Sequence, residues 1–195
     1  MTLGRPRQFD PERALQAAME QFWAAGYEAT SLQQLLDATG LARSSLYQAF
    51  GGKQALFERC LEHYLADRLR VMGQALDASP SGRQFIRDTL ASTAEDARSG
   101  RPRGCLVMNS AAEFGQGRGP LSSKVGACIE AFAGLFSEAV RRGRIDGSIT
   151  TDEDPALLGR YLVTVMAGLR TLVKGSAADE DDVRRLAGLA LEVLD

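Results

Sequence analysis

Two short helical stretches pinched together at one glycine constrain this chain more than any other feature in it. Between Ala29 and Lys53, Leu32, Leu35 and Leu36 share one helical face. Thr30 stands just before them as a candidate N-cap, a hydroxyl able to accept a free backbone N–H. Gly40 follows Thr39 where the helix must stop in a left-handed turn, which glycine adopts without a Cβ clash. A second helix is predicted from about Ala42 to Phe50, with Leu46 and Phe50 facing inward and Gly51 and Gly52 closing it. That leaves Arg43, Ser44, Tyr47 and Gln48 on the outer face.

The outer face lacks the Glu and Lys of an ordinary solubilising surface, and no acidic residue occurs between Thr39 and Lys53. A short helix without carboxylates, bearing hydrogen-bonding side chains, suits the major groove of DNA. Arg43, Ser44, Ser45, Tyr47 and Gln48 can reach bases or phosphates, with arginine favouring guanine and glutamine favouring adenine.

A first amphipathic helix precedes this pair. It begins at Asp10 and Pro11, buries Leu15, Ala18, Met19 and Phe22, and ends at Gly26, with Trp23 and Tyr27 completing a small core. Taken together, Phe22 to Tyr27, Ala29 to Leu32, Gly40 to Phe50 and Lys53 to Phe57 resemble the DNA-binding domain of the TetR/AcrR family of bacterial transcriptional regulators over Phe9 to Tyr64. Ala49 departs from the family pattern, which carries a larger polar or aromatic residue there and so leaves more of the contact to Tyr47 and Gln48. The resemblance implies that Thr30 and Lys53 anchor the DNA backbone. Lys53 also opens a fourth helix whose N-terminus attracts phosphate. Residues 1–8 carry Arg5 and Arg7; they form either a disordered tail or an arm reaching phosphate or the minor groove, for which Arg5 is the candidate.

Bulk charge gives no support to nucleic-acid binding. The net charge is −2, and up to Lys53 five cations are balanced by five acids, so placement has to carry the argument. Three scattered cysteines and one histidine offer no metal-ligand spacing and no disulfide framework. No nucleotide fingerprint or base–nucleophile pattern is present, so an enzyme is not expected, and no cofactor or metal is implied. The first residues lack an apolar signal core and no run reaches bilayer length; a cytoplasmic protein without membrane contact is expected.

The rest of the chain reads as helix. A fourth helix is predicted over Lys53 to Leu76, a fifth up to about Ser99, a short sixth over Cys105 to Gly115, and a long seventh from Pro120 to the arginines at 141, 142 and 144. An eighth follows over Pro155 to Lys174 and a ninth over Asp179 to Leu194. The expected fold is all-α, with about nine helices. An N-terminal three-helix helix-turn-helix DNA-binding domain occupies 1–52 (arm 1–8), and a C-terminal helical ligand-binding and dimerisation domain occupies 53–195. The last two helices are too apolar to stand uncovered, and two-fold pairing with a second copy is expected. The family resemblance implies the same, as a four-helix bundle.

Such a dimer would bind a near-palindromic double-stranded DNA operator, and a small-molecule inducer would release it, repression being the family's usual mode. The pocket candidates are Phe85, Cys105, Met108, Asn109, Glu113, Phe114, Phe132, Phe136, Tyr161 and Met166, each weighed against plain core packing. Their composition points to a largely apolar inducer. Asn109 and Glu113 stand out because a buried polar group needs a partner. Cys105 follows a loop with Arg98, Arg101 and Arg103 and opens a helix, both of which lower a thiol's pKa. The alternatives are therefore a thiol-based redox or electrophile sensor using Cys105, or, in another class, a helical protein-interaction adaptor.

Overall fold

Asp10 accepts hydrogen bonds from the N–H groups of Glu12 and Arg13 and so caps the first helix, α1 (Pro11–Ala25). The computed structural model describes residues 9–98, 103–114, 117 and 119–195, with backbone only at 96–98. Arg5 and the arm therefore lie outside the described residues, as do Arg101 and the side chain of Arg98.

The helices that follow are α2 (Leu32–Thr39), α3 (Arg43–Phe50), α4 (Lys53–Ala78), α5 (Gly82–Ala91) and α6 (Thr93–Arg98). After these come α7 (Leu106–Phe114), α8 (Pro120–Ile145), α9 (Pro155–Lys174) and α10 (Glu180–Ala190), and a 3-10 turn at Glu192–Leu194. No strand occurs among the described residues. The expected fifth helix is two, because Ser92 and Thr93 donate their hydroxyls to the carbonyls of Thr89 and Leu90, turning the chain at that point. The expected ninth helix gives up its α-form at Ala190 and finishes as the 3-10 turn.

The N-cap expected at Thr30 belongs to Ser31, whose hydroxyl accepts from Gln34 N–H while the Gln34 side chain accepts from Ser31 N–H. Thr30 is fully buried, and its hydroxyl donates to the Gly26 carbonyl at 2.5 Å. Gly40 ends α2 with φ 66°, as its position requires.

The front unit closes around an aromatic cluster. Phe22 of α1 meets Phe57 of α4 edge-on at 4.9 Å between centroids, and Tyr27 and Phe114 complete the group. In the rear unit α8 runs against α9 at close range. A Cβ at Gly159 would overlap the Ala133 carbonyl and the Ser137 hydroxyl, so only glycine permits this approach. The end of the chain is sewn in: the Leu194 carbonyl accepts from Thr150 N–H at 3.0 Å, and Asp195 pairs with Arg83.

By length and composition α9 is apolar enough to cross a membrane, contrary to expectation. Its inner face, Leu158, Leu162, Met166, Leu169 and Val173, is buried in the protein core. Its outer face repeats at helical spacing through Leu157, Tyr161, Thr164, Gly168 and Leu172, all exposed. On α10 and the 3-10 turn Leu186, Leu189 and Val193 are exposed as well.

Candidate nucleic-acid interface and cavity

α3 buries Leu46 and Phe50, and this orients the helix. Arg43, Ser44, Tyr47 and Gln48 are exposed, and Ser45 is partly so. No acidic residue on α3 competes with them for a phosphate or base edge. Tyr47 is 50 % exposed, and its ring edge stands over Gly52, where a Cβ would lie 3.2 Å from Tyr47 Cε1. Gly52 has φ 117° and immediately precedes α4, so the tyrosine is seated on a position that tolerates almost no side chain.

Two of the expected backbone anchors differ from expectation. Thr30 presents no hydroxyl to solvent because the group is buried and bonded within the turn. Lys53 is half-buried; its Nζ lies 4.3 Å from the Tyr27 ring centroid and 3.5 Å from the Glu28 carbonyl. It stays at the start of α4, beside the outer face of α3, but it is tethered there.

The pocket candidates separate into three groups. Phe85, Phe132 and Met166 line a cavity of about 310 Å³ together with Val71 and Met72 of α4. Its polar lining includes Arg68 of α4, Asp88 of α5 and Arg170 of α9. A volume of this size sits at the small end of ligand sites. Sequence periodicity missed the two arginines because each interrupts an otherwise apolar helix face; that interruption was the available signal.

Asn109, Glu113 and Phe114 belong elsewhere. Glu113 is exposed, and its carboxylate accepts from the backbone N–H groups of Tyr27 at 2.9 Å and Glu28 at 2.5 Å. Phe114 packs between Tyr27 and Phe57, at 5.4 and 5.8 Å. Asn109 donates to the Arg103 carbonyl at 2.9 Å and accepts from Lys174 Nζ at 3.2 Å. Arg103 in turn pairs with Glu20 of α1. Asn109 and Glu113 do line a cavity, but a smaller one of about 210 Å³, between the end of α1 and α7. The polar residues of α7 therefore join the front of the chain to the rear. Burial first, and then the carboxylates of Glu28, Glu58 and Glu113, holds the Tyr27 hydroxyl above the usual tyrosine range.

The remaining candidates line neither cavity. Phe136 is fully buried against Phe85 at 6.2 Å. Tyr161 lies on the outer stripe of α9, with its hydroxyl 3.4 Å from the Ala190 carbonyl. Met108 is half-buried against the core. Cys105 is buried, and Tyr64 donates its hydroxyl to Cys105 Sγ at 3.5 Å. A thiol enclosed in this way lacks the partial exposure typical of reactive cysteines. The cysteines Cys60, Cys105 and Cys128 are all free, and no cluster able to hold a metal occurs among the described residues.

Known proteins share this arrangement. The family described as bacterial regulatory proteins, tetR family, matches residues 14–60, and the tetracyclin repressor-like C-terminal domain matches residues 83–186. An uncharacterized HTH-type transcriptional regulator of Bacillus subtilis, YezE, is 31 % identical over 195 residues, covering 99 % of this chain and 100 % of its own. The HTH-type transcriptional repressor ComR of Escherichia coli is 28 % identical over 97 % of this chain and 91 % of its own. Among solved structures, a cysteine-substituted form of the TetR family transcriptional regulator CifR, in complex with 26-base-pair operator DNA, superposes with a TM-score of 0.83. It is 35 % identical, covering 98 % of this chain and 100 % of its own.

Proposed function

Because this chain belongs to the TetR family of bacterial regulatory proteins, DNA-binding transcriptional regulators and not enzymes, we propose that it is a repressor. In this reading it binds a near-palindromic operator as a homodimer, and a small, largely apolar inducer releases it. The observation that carries the proposal is the acid-free outer face of α3, with Arg43, Ser44, Tyr47 and Gln48 exposed together. The relative CifR is bound to operator DNA, and ComR is named a repressor; both support the reading.

The front unit, residues 1–52, reads DNA; residues 53–195 bind the inducer and hold two copies together. Gln48 and Arg43 contact base edges, Ser44, Ser45 and Tyr47 contact bases or phosphates, and Lys53 with the α4 N-terminus sets the register. Arg5 reaches phosphate or the minor groove beside the recognition helix. The partner copy covers the outer stripe of α9 with the exposed leucines of α10, a self-complementary surface suited to two-fold pairing. The same surface is what favours a dimer over an adaptor. The regulator acts in the cytoplasm, where its DNA is.

An inducer shifts DNA affinity only by binding one dimer geometry better than another. α4 lines the cavity of about 310 Å³ through Arg68, Val71 and Met72 and begins beside α3, so a ligand there touches the helix that leads to the recognition helix.

Selection from a randomised duplex pool tests the proposal. The expected product is an inverted repeat whose half-sites lie about one helical turn or slightly more apart. Its affinity should fall with salt at a slope of several log units per log unit. A pool that enriches no sequence, or a protein that binds no duplex at low salt, overturns the reading.

A further inference from the structure

The recognition helix does not secure its own C-terminal end. α3 has no basic residue in its last turn, and its N-cap, Ala42, offers no side-chain hydrogen bond. Gly51 takes φ 82° and returns one bond, its N–H donating to the Tyr47 carbonyl at 2.9 Å. The other carbonyls of a last turn have no partner within their own helix and carry the negative end of its dipole. Lys53, the first cation after α3, is engaged elsewhere, at the Tyr27 ring and the Glu28 carbonyl.

α4 supplies what α3 lacks. Arg59 donates from Nη1 to the Ala49 carbonyl at 2.9 Å, and its guanidinium carbon lies over the Phe50 ring, 5.5 Å from the centroid. Phe50 is buried and meets Phe9 at 6.5 Å between centroids. Glu12 and Glu62 border the same groove as Arg59, but Glu62 pairs with Lys124 of α8. One side chain of α4 thus touches the last two residues of α3, through a charge-assisted hydrogen bond to one and a cation–π contact with the other.

We propose that Arg59 is a positioning residue for DNA recognition: it clamps the C-terminal turn of α3 onto α4 and so fixes how Tyr47 and Gln48 meet the duplex. It acts through those side chains and takes no phosphate itself. The proposal rests on the reading of α3 as the helix that meets DNA, and deepens it. α3 spans only eight residues, so Tyr47 and Gln48 lie within the turn that Arg59 holds and shift when that turn loosens.

Arg59→Met in the full chain tests it, keeping the apolar stem while removing the charge and the donor. In the free protein, amide hydrogen exchange over residues 43–52 is expected to quicken by about three- to tenfold, the net worth of one exposed hydrogen bond. Exchange in α8 is the reference for general destabilisation. Affinity for a selected duplex, corrected for the folded fraction, should fall by a similar factor while its salt slope stays that of the wild type. A phosphate contact of Arg59's own would instead lower the slope by about one. Combined with Gln48→Ala, the loss should be smaller than the product of the two single losses, because Arg59 acts through that side chain. Arg59→Lys, which keeps the charge without the fork, should restore part of both readings, and carries the comparison if the methionine variant does not fold. Unchanged exchange over α3, a salt slope lowered by about one, or losses that multiply in full overturn the clamp. A wild-type chain that binds no duplex ends the DNA reading and the positioning role with it, whereas the exchange comparison still decides whether Arg59 holds α3.

Discussion

The carboxylate of Glu113 holds the backbone N–H of Tyr27 at 2.9 Å, across 86 positions of chain. Through this bond and its neighbour to Glu28, α7 grips the turn that leads into the helix-turn-helix unit. Glu113→Ala releases both N–H groups to water. The variant is expected to lose about 1 kcal/mol of stability, since the bonds are charge-assisted but exposed. Its affinity for a selected duplex should drop several-fold, read by urea denaturation and fluorescence anisotropy. Unchanged values for both would show that α7 and the turn are not mechanically joined.

Thr30 separates a structural role from a DNA-contact role. Thr30→Val removes the buried hydroxyl bond to Gly26 and leaves a carbonyl unpaired, a cost of about 1–3 kcal/mol. Ser31→Ala removes the true cap, at about 1 kcal/mol. Once corrected for the folded fraction, DNA affinity should be unaltered in Thr30→Val. A large residual loss would mean that the threonine reaches the phosphate in the complex.

Gly52 seats Tyr47. Gly52→Ala introduces a Cβ at φ 117° and 3.2 Å from the tyrosine ring, which should cost about 1 kcal/mol or more. Operator affinity should fall along with stability because the ring must move. Gln48→Ala, in contrast, should weaken binding by about 1–3 kcal/mol at one base position without touching stability. Binding titrations against the selected duplex and its single-base variants distinguish the two patterns.

The outer stripe of α9 and α10 predicts its own disruption. Leu189 is 61 % exposed on the isolated chain and Leu157 is 55 % exposed. Leu189→Glu should turn the dimer into a monomer at micromolar concentration, seen by sedimentation velocity, with helicity retained. A wild-type chain that sediments as a monomer would remove the paired-recognition-helix mechanism altogether.

Burial raises the Cys60 thiol to about 12 from its ordinary 9.0. Because the folded value is the higher one, the unfolded chain loses its proton first as pH rises. Stability from this group is complete below pH 9 and is lost between pH 9 and 12. Tyr64, raised chiefly by burial, adds loss of the same sign at higher pH. Denaturation midpoints measured through that window should decline, and Cys60→Ala should flatten the decline in part. A midpoint that rises with pH would contradict the sign.

Local pattern was enough for most of the helices, though not for the break at Ser92 and Thr93, and for α3. Apolar residues at helical spacing, Gly40 at the turn and the lack of acids around Tyr47 and Gln48 are properties of neighbouring residues, so chain order alone exposes them. The same holds for α9, whose bounds at Pro155 and Lys174 follow from a proline start and an unbroken apolar run.

What chain order could not reveal is where distant pieces meet. Glu113 looked like a polar residue in a pocket because its partners are backbone N–H groups, which every residue has and no sequence distinguishes. Tyr161 and Phe132 look alike as aromatics on apolar helices, yet packing turned one outward and sent the other into the cavity. Arg68 and Arg170, about a hundred positions apart, line one cavity only because α4 and α9 both border it. Periodicity chooses which face of a helix is buried; the packing of helix on helix decides what that face is buried against, and the ligand chemistry lies in that second choice.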